Sequence, residues 1–122
     1  MGRTPLIIAA LTAAAGAHAG DARLLVQSSP LAGFQFHTAR GAWPELAVGD
    51  ALDLVREPDN VHDANAVRVL WRGQLLGYVP RRENAHVAAQ LDRGTAVRAR
   101  ITRLVEHRNP RLRLALEIYV DL

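Results

Sequence analysis

Hydrophobic and polar residues alternate along several short segments of this chain, with the period of two that is typical of half-buried β-strands. These segments cover residues 51–55, 66–71, 75–79, 95–105 and 112–120. A further strand is predicted at residues 31–38, where Phe34 and Phe36 are two positions apart and therefore lie on one face. Glycine, proline, asparagine and aspartate lie between many of these segments, as they do in turns. The pattern predicts a mainly β protein.

One segment has helical periodicity. Residues 81–91 follow Pro80, which suits the first turn of a helix, and they place Val87 and Leu91 on one face. Gly94 is placed to end this helix. Several short strands with one inserted helix are typical of small β-barrels. We therefore predict a small OB-like or SH3-like β-barrel with one short helix, in a single domain at residues 31–122.

Residues 1–19 have the pattern of a secretory signal peptide. Arg3 precedes an apolar run at residues 6–15, which is too short to span a bilayer, and Ala17-His18-Ala19 matches a small-x-small cleavage site. The alternatives are an uncleaved N-terminal anchor and an ordinary buried helix. Cleavage after Ala19 predicts an exported chain, periplasmic or secreted, without a stable membrane span. Residues 20–30 would then be a lead-in, which is either a short strand or a tether.

Composition excludes several kinds of site. The chain has 122 residues and no cysteine, so it has no disulfide, no Cys-ligated zinc and no Cys nucleophile. It contains no GxSxG, GxxxxGK(S/T) or HExxH motif, and we expect neither catalysis, nor a metal site, nor a cofactor. The formal net charge is +3, and arginine supplies all 15 of the Lys and Arg positions. Arginine suits bidentate phosphate contacts, but so small a charge permits nucleic-acid binding without arguing for it. A monomer is expected.

A polar loop follows the predicted strand at residues 51–55. Its turn-forming residues are Asp59, Asn60, Asp63 and Asn65. Asp and Asn side chains bond their own backbone in turns, so each has a structural interpretation beside a functional one. Long loops held between strands often carry function. We assign Asp59 and Asn65 to the turn, treat Asn60 as intermediate, and take Asp63 as the functional candidate.

Residues 54–67, which read LVREPDNVHDANAV, resemble the signature of the HIRAN domain family. The step Gly77-Tyr78-Val79-Pro80 and the upstream residues 33–37 match two further parts of that family's pattern. The resemblance extends over about residues 31–120. It implies a binding module rather than an enzyme.

The resemblance also implies a ligand and its contacts. The best understood member of the family binds the 3′ end of single-stranded DNA through stacked aromatic rings and an Asp that contacts the free 3′-hydroxyl. By position, that Asp is Asp63, and Gln35 replaces an arginine beside the first ring. The candidate ligand-binding residues are Gln35, Phe36, Asn60, His62, Asp63, Tyr78, Arg81 and Arg82. Of these, Phe36, His62 and Tyr78 would stack on bases, and Arg81 and Arg82 would contact phosphate.

Two other functions are compatible with the sequence. The first is a periplasmic protein-interaction or envelope module that kept this fold without DNA binding and has an envelope protein as its partner. The second is a hydrolase, which is suggested only by analogy with helicase-like proteins that contain such domains. The ligand of the binding module would be single-stranded DNA or a nucleotide-like molecule. The arginines of the last two strands form either a basic stripe or a solvated face interleaved with acids.

Overall fold

The computed structural model describes residues 22–34 and 38–121, with the backbone alone for residues 38–40. The predicted signal peptide at residues 1–19 lies outside the described residues. So do Gln35 and Phe36, two of the candidate ligand-binding residues. No helix in the described part of the chain is long and apolar enough to cross a membrane.

Six antiparallel strands form one sheet. In chain order they are β1 (Arg23–Pro30), β2 (Ala51–Arg56), β3 (Val67–Trp71), β4 (Gln74–Tyr78), β5 (Val97–Leu104) and β6 (Leu114–Asp121). Their order across the sheet is β1-β6-β5-β2-β3-β4. The alternation in the sequence predicted β2 to β6 correctly, because the inward residues Leu52, Leu54, Val67 and Val69 are buried. The mainly β fold with one helix is confirmed.

The chain between β1 and β2 differs from its prediction. Arg23–Pro30 is a full strand that pairs with β6, so of the two interpretations of the lead-in, the strand is the one observed. The predicted strand at residues 31–38 is wrong at Gly33, which adopts a φ of +77° and turns the chain. Phe34 then packs on Trp43, with their ring centroids 5.7 Å apart. Thr38–Glu45, which contains Trp43, is a 3-10 helix.

The sheet curls but does not close through a continuous ladder. Among the described residues, a single bridge connects the chain after β1 to the opposite edge strand β4, between Ala32 and Tyr78. Each of the two residues donates its backbone N–H to the other's carbonyl oxygen at 2.9 Å. Gly77 permits this approach, since a Cβ there would lie 2.3 Å from the carbonyl oxygen of Ala32. The bridge brings the end of β4 beside residues 31–32.

One α-helix follows β4. The predicted helix at residues 81–91 is divided into a 3-10 turn at Arg81–Glu83 and α1 at Ala85–Asp92, with Asn84 between them. Val87 and Ala88 face the core and are fully buried. Gly94 adopts a φ of +82°, and its N–H bonds the carbonyl oxygen of Leu91, so it ends the helix as predicted.

The outer face of β5 and β6 carries paired charges. Arg98 contacts Asp121 at 2.7 Å, and Arg100 contacts Glu117 at 2.8 Å. This part of the sheet is therefore a solvated face interleaved with acids, one of the two interpretations of the strand arginines. Exposed ion pairs of this kind contribute little to stability, roughly 0–1 kcal/mol.

Candidate functional site

An open pocket of about 370 Å³ lies between the loop that joins β2 to β3 and the end of β4. It is lined by Ala32, Asn60, His62, Asp63, Ala66, Tyr78, Val79 and Arg81. Five of the eight predicted ligand-binding residues are therefore brought to one place. Arg82 is exposed and is not part of the lining. Gln35 and Phe36 lie outside the described residues.

Asn60 folds the loop around its own side chain. The Oδ1 atom accepts from the backbone N–H of His62 at 2.8 Å and of Asp63 at 3.1 Å. Its Nδ2 donates to the Glu57 carboxylate at 2.6 Å. Because both lone pairs of Oδ1 are used within the loop, the amide oxygen of Asn60 is committed to the turn.

Asp63 is held by the chain on both carboxylate oxygens. Oδ1 accepts from the backbone N–H of Asn65 at 2.9 Å, and Oδ2 accepts from Nδ2 of Asn84 at 2.7 Å. Asn84 is only 2% exposed and lies just before α1. No pattern in the sequence predicts this role for Asn84, whose partner is 21 residues away. Each carboxylate oxygen of Asp63 keeps further acceptor capacity, so the carboxylate is rigidly placed and can still accept a ligand hydroxyl.

Arg56 fixes the far end of the loop. Its Nη1 donates to the carbonyl oxygen of Ala66 at 2.8 Å, and its Nη2 donates to that of Ala64 at 2.9 Å. Its Nε donates to Asp92 at the end of α1, also at 2.9 Å. The loop is thus connected to the start of the helix through Asp63 and Asn84, and to its last residue, Asp92, through Arg56. A loop bonded in this way is preorganised before any ligand arrives.

Glu57 contacts Tyr78 and is a second residue whose role was not predicted from the sequence. The Tyr78 hydroxyl donates to its carboxylate, with oxygen–oxygen distances of 3.1 and 3.2 Å. Nε of Arg68 is 3.6 Å from Oε2 of the same carboxylate; this Nε is buried and has no hydrogen-bond partner. Burial raises the pKa of Tyr78 above its ordinary value of 10.0, and the hydrogen bond to Glu57 and the charge of Glu57 raise it further, against the opposing charge of Arg68. The only signal in the sequence was an acid placed directly before Pro58.

Two polar side chains of the pocket lack partners in the described part of the chain. Neither the imidazole of His62 nor the guanidinium of Arg81 has a hydrogen bond or ion pair there. Val61, beside His62, is 89% exposed, an unusual position for a large apolar side chain. The described residues hold no group of three or more potential metal ligands. The pocket thus offers a ring, a cation and a fixed carboxylate.

Comparison with known proteins gives a family and three relatives. The family model of the HIRAN domain matches residues 24–122. The Fanconi-associated nuclease 1 homolog of Oryza sativa subsp. japonica is 42% identical over 53 residues, which is 40% of this chain and 6% of that protein. The chain thus spans only a small part of that relative's length.

Two solved structures share the fold. A protein from Lactobacillus plantarum superposes with a TM-score of 0.70 and 26% identity, over 81% of this chain and 95% of that one. The HIRAN domain of human HLTF superposes with a TM-score of 0.61 and 18% identity, over 80% of this chain and 78% of that one. At 18% identity the second likeness concerns the fold alone.

Proposed function

The chain belongs to the HIRAN domain family, a family of nucleic-acid-binding modules, and we propose that its loop pocket binds the 3′ end of single-stranded DNA or a nucleotide-like ligand. The match over residues 24–122 confirms the resemblance that residues 54–67 and 77–80 indicated. Binding of nucleic acid is the general expectation for such a module. The strand end as the ligand is the specific proposal.

The observation that carries the proposal is the convergence of Asn60, His62, Asp63, Tyr78 and Arg81 on one pocket. Its volume of about 370 Å³ falls within the range of small-ligand sites, roughly 300–1,000 Å³. A terminal nucleotide presents a flat base, a sugar hydroxyl and a phosphate. The pocket offers a matching group for each of them.

Each group of the pocket has a distinct task in this proposal. The rings of Tyr78 and His62 stack on bases, a contact that tolerates any sequence. The carboxylate of Asp63, already oriented by Asn84, accepts a hydrogen bond from the terminal hydroxyl. Arg81, whose guanidinium has no hydrogen bond or ion pair among the described residues, contacts phosphate. Asn60 acts through the shape of the loop, since its amide oxygen is already bonded.

The turn between β5 and β6 supports a longer path for the strand. Residues 103–113 contain four arginines and one acid, a formal charge of +3. The carbonyl oxygen of Leu114, which follows this turn, accepts from the N–H of Leu31, and the next residue, Ala32, lines the pocket. A strand that leaves the pocket on this side meets positive charge, which favours the phosphate backbone.

The proposal is tested by titrating 5′-labelled single-stranded oligonucleotides and following fluorescence anisotropy. One oligonucleotide has a free 3′-hydroxyl and its matched partner has a 3′-phosphate. We expect the free end to bind about tenfold more tightly, which corresponds to about 1.4 kcal/mol. Equal affinity for both ends, or no binding, contradicts the proposal.

Arg81→Gln and Arg98→Gln form a matched pair of charge variants. Arg81 lines the pocket, whereas Arg98 is paired with Asp121 on the outer face of the sheet. Loss of a phosphate contact at Arg81 is expected to weaken binding and to reduce the slope of log K against log salt by about one. Arg98→Gln is expected to leave both quantities unchanged.

We further propose that the domain binds without catalysis and that it is exported. The first part is supported by the lack of catalytic motifs in the sequence, and the second by the signal-peptide pattern of residues 1–19. Release of a cleaved or modified oligonucleotide, detected by mass spectrometry after incubation with the purified protein, contradicts the first part.

A further inference from the structure

The Glu57 carboxylate connects side chains from three separate segments. It accepts from the Tyr78 hydroxyl on β4 and from Nδ2 of Asn60 in the loop, and it lies 3.6 Å from Nε of Arg68 on β3. Tyr78 and Asn60 line the pocket, but Glu57 does not. One carboxylate outside the lining therefore contacts two of the residues that form it.

Glu57 holds the Tyr78 side chain at its hydroxyl end. Its hydroxyl bonds a residue that is not part of the pocket lining, while Tyr78 itself is part of it. The position of the Tyr78 ring is therefore set by a carboxylate outside the lining. Asn60 is placed in the same way, since the bond to Glu57 sets the plane of the amide whose oxygen orders residues 62 and 63.

We propose that Glu57 is a positioning residue of this site, whose carboxylate fixes the Tyr78 ring and the Asn60 turn as two walls of the pocket. This inference rests on the proposed function. Hydrogen bonds to an ionised carboxylate are stronger than those between neutral groups, so the two bonds that Glu57 accepts from Tyr78 and Asn60 restrict the ring and the loop to one arrangement. A preorganised site loses less conformational entropy on binding. Without Glu57, the pocket residues remain present but are no longer held in one geometry.

The first arm of the test needs no ligand. The chain has two tyrosines, Tyr78 and Tyr119, so aromatic NMR of tyrosine-labelled protein follows each phenol separately as the pH is raised. Glu57→Gln removes the charge and weakens the hydrogen bond that raise the pKa of Tyr78, and we expect Tyr78 to ionise at a lower pH than in the wild type. An unchanged Tyr78 titration in Glu57→Gln overturns the inference.

The second arm measures affinity for an oligonucleotide with a free 3′-hydroxyl. Glu57→Ala is expected to weaken binding about tenfold. Glu57→Gln, which keeps one oxygen acceptor for Tyr78 and Asn60, should recover most of that loss. A purely structural residue gives no such recovery in affinity once both variants are confirmed to be folded by circular dichroism.

Double variants then locate the path of the effect. If Glu57 acts through the Tyr78 hydroxyl, Tyr78→Phe should weaken binding by itself and should add little in the Glu57→Ala background. Arg81 contacts the ligand independently of Glu57 in this proposal. The fold-loss of affinity in Arg81→Gln should therefore multiply with that in Glu57→Ala. If the wild-type protein binds the oligonucleotide and Glu57→Ala binds it with the same affinity, this inference alone is overturned. Failure of the wild-type protein to bind any oligonucleotide overturns the proposed function and this inference with it.

Discussion

Substitution of Gly77 by alanine tests the backbone bridge between Ala32 and Tyr78, which lies beside the pocket. A Cβ at this position would lie 2.3 Å from the carbonyl oxygen of Ala32 and 3.1 Å from Cγ of Leu31. The oxygen would have to retreat by about 0.7 Å to reach even 3.0 Å, the lower limit for real Cβ contacts. It belongs to the backbone that exchanges two hydrogen bonds with Tyr78, so it cannot retreat without stretching them.

The cost of Gly77→Ala follows from these bonds. Each backbone hydrogen bond contributes about 0.5–1.5 kcal/mol net, so loss of both lowers the free energy of unfolding by about 1–3 kcal/mol. Leu31 is fully buried and must move as well, which makes the upper part of this range the expectation. For a domain of this size, each kcal/mol corresponds to a fall in Tm of roughly 4–8 °C.

Gly41→Ala is the matched control for this substitution. A Cβ at Gly41 meets nothing within 4 Å, so the change should alter the free energy of unfolding by less than about 0.5 kcal/mol. Urea denaturation followed by tryptophan fluorescence measures both variants. We also expect Gly77→Ala to weaken oligonucleotide binding, because Ala32 lines the pocket. A Gly77→Ala protein as stable as Gly41→Ala would refute the reasoning about the bridge.

Four further outcomes are expected. Asn84→Ala removes the bond to the Asp63 carboxylate and should lower the free energy of unfolding by about 1.5–3 kcal/mol in urea denaturation. Arg56→Gln should speed amide hydrogen exchange in the loop at residues 57–66 while leaving the strands protected, as mass spectrometry would show. Since the pKa of Tyr78 is raised in the folded state, the protonated phenol stabilises the folded state below pH 10.0. This stabilisation is lost as the pH rises through the folded pKa. The free energy of unfolding should therefore fall above pH 10.0, and it should fall less in Tyr78→Phe. The mature protein, expressed from the full sequence and weighed intact, should begin at Gly20.

The local pattern of the sequence was sufficient for the strands and for the family. Alternation reports directly which side chains face the core, and the strands from β2 onward follow it, with Leu52 and Leu54 buried as expected. The end of the helix could also be predicted from local sequence, because Gly94 adopts a φ of +82° that suits glycine. The spacing of the loop residues, from Arg56 to Asn65, was enough to indicate the HIRAN family that the family model confirms.

Other features depended on the tertiary structure. Phe34 and Phe36 have strand spacing, yet the chain turns at Gly33 so that Phe34 can pack on Trp43. The bond from Asn84 to Asp63 spans 21 residues, as does that from Tyr78 to Glu57. No periodicity along the chain marks such pairs, because their partners meet only after the sheet and helix have placed them. The loop residues and the family could be identified from the sequence alone, whereas the tertiary structure shows which polar groups of the loop are bonded within the described residues.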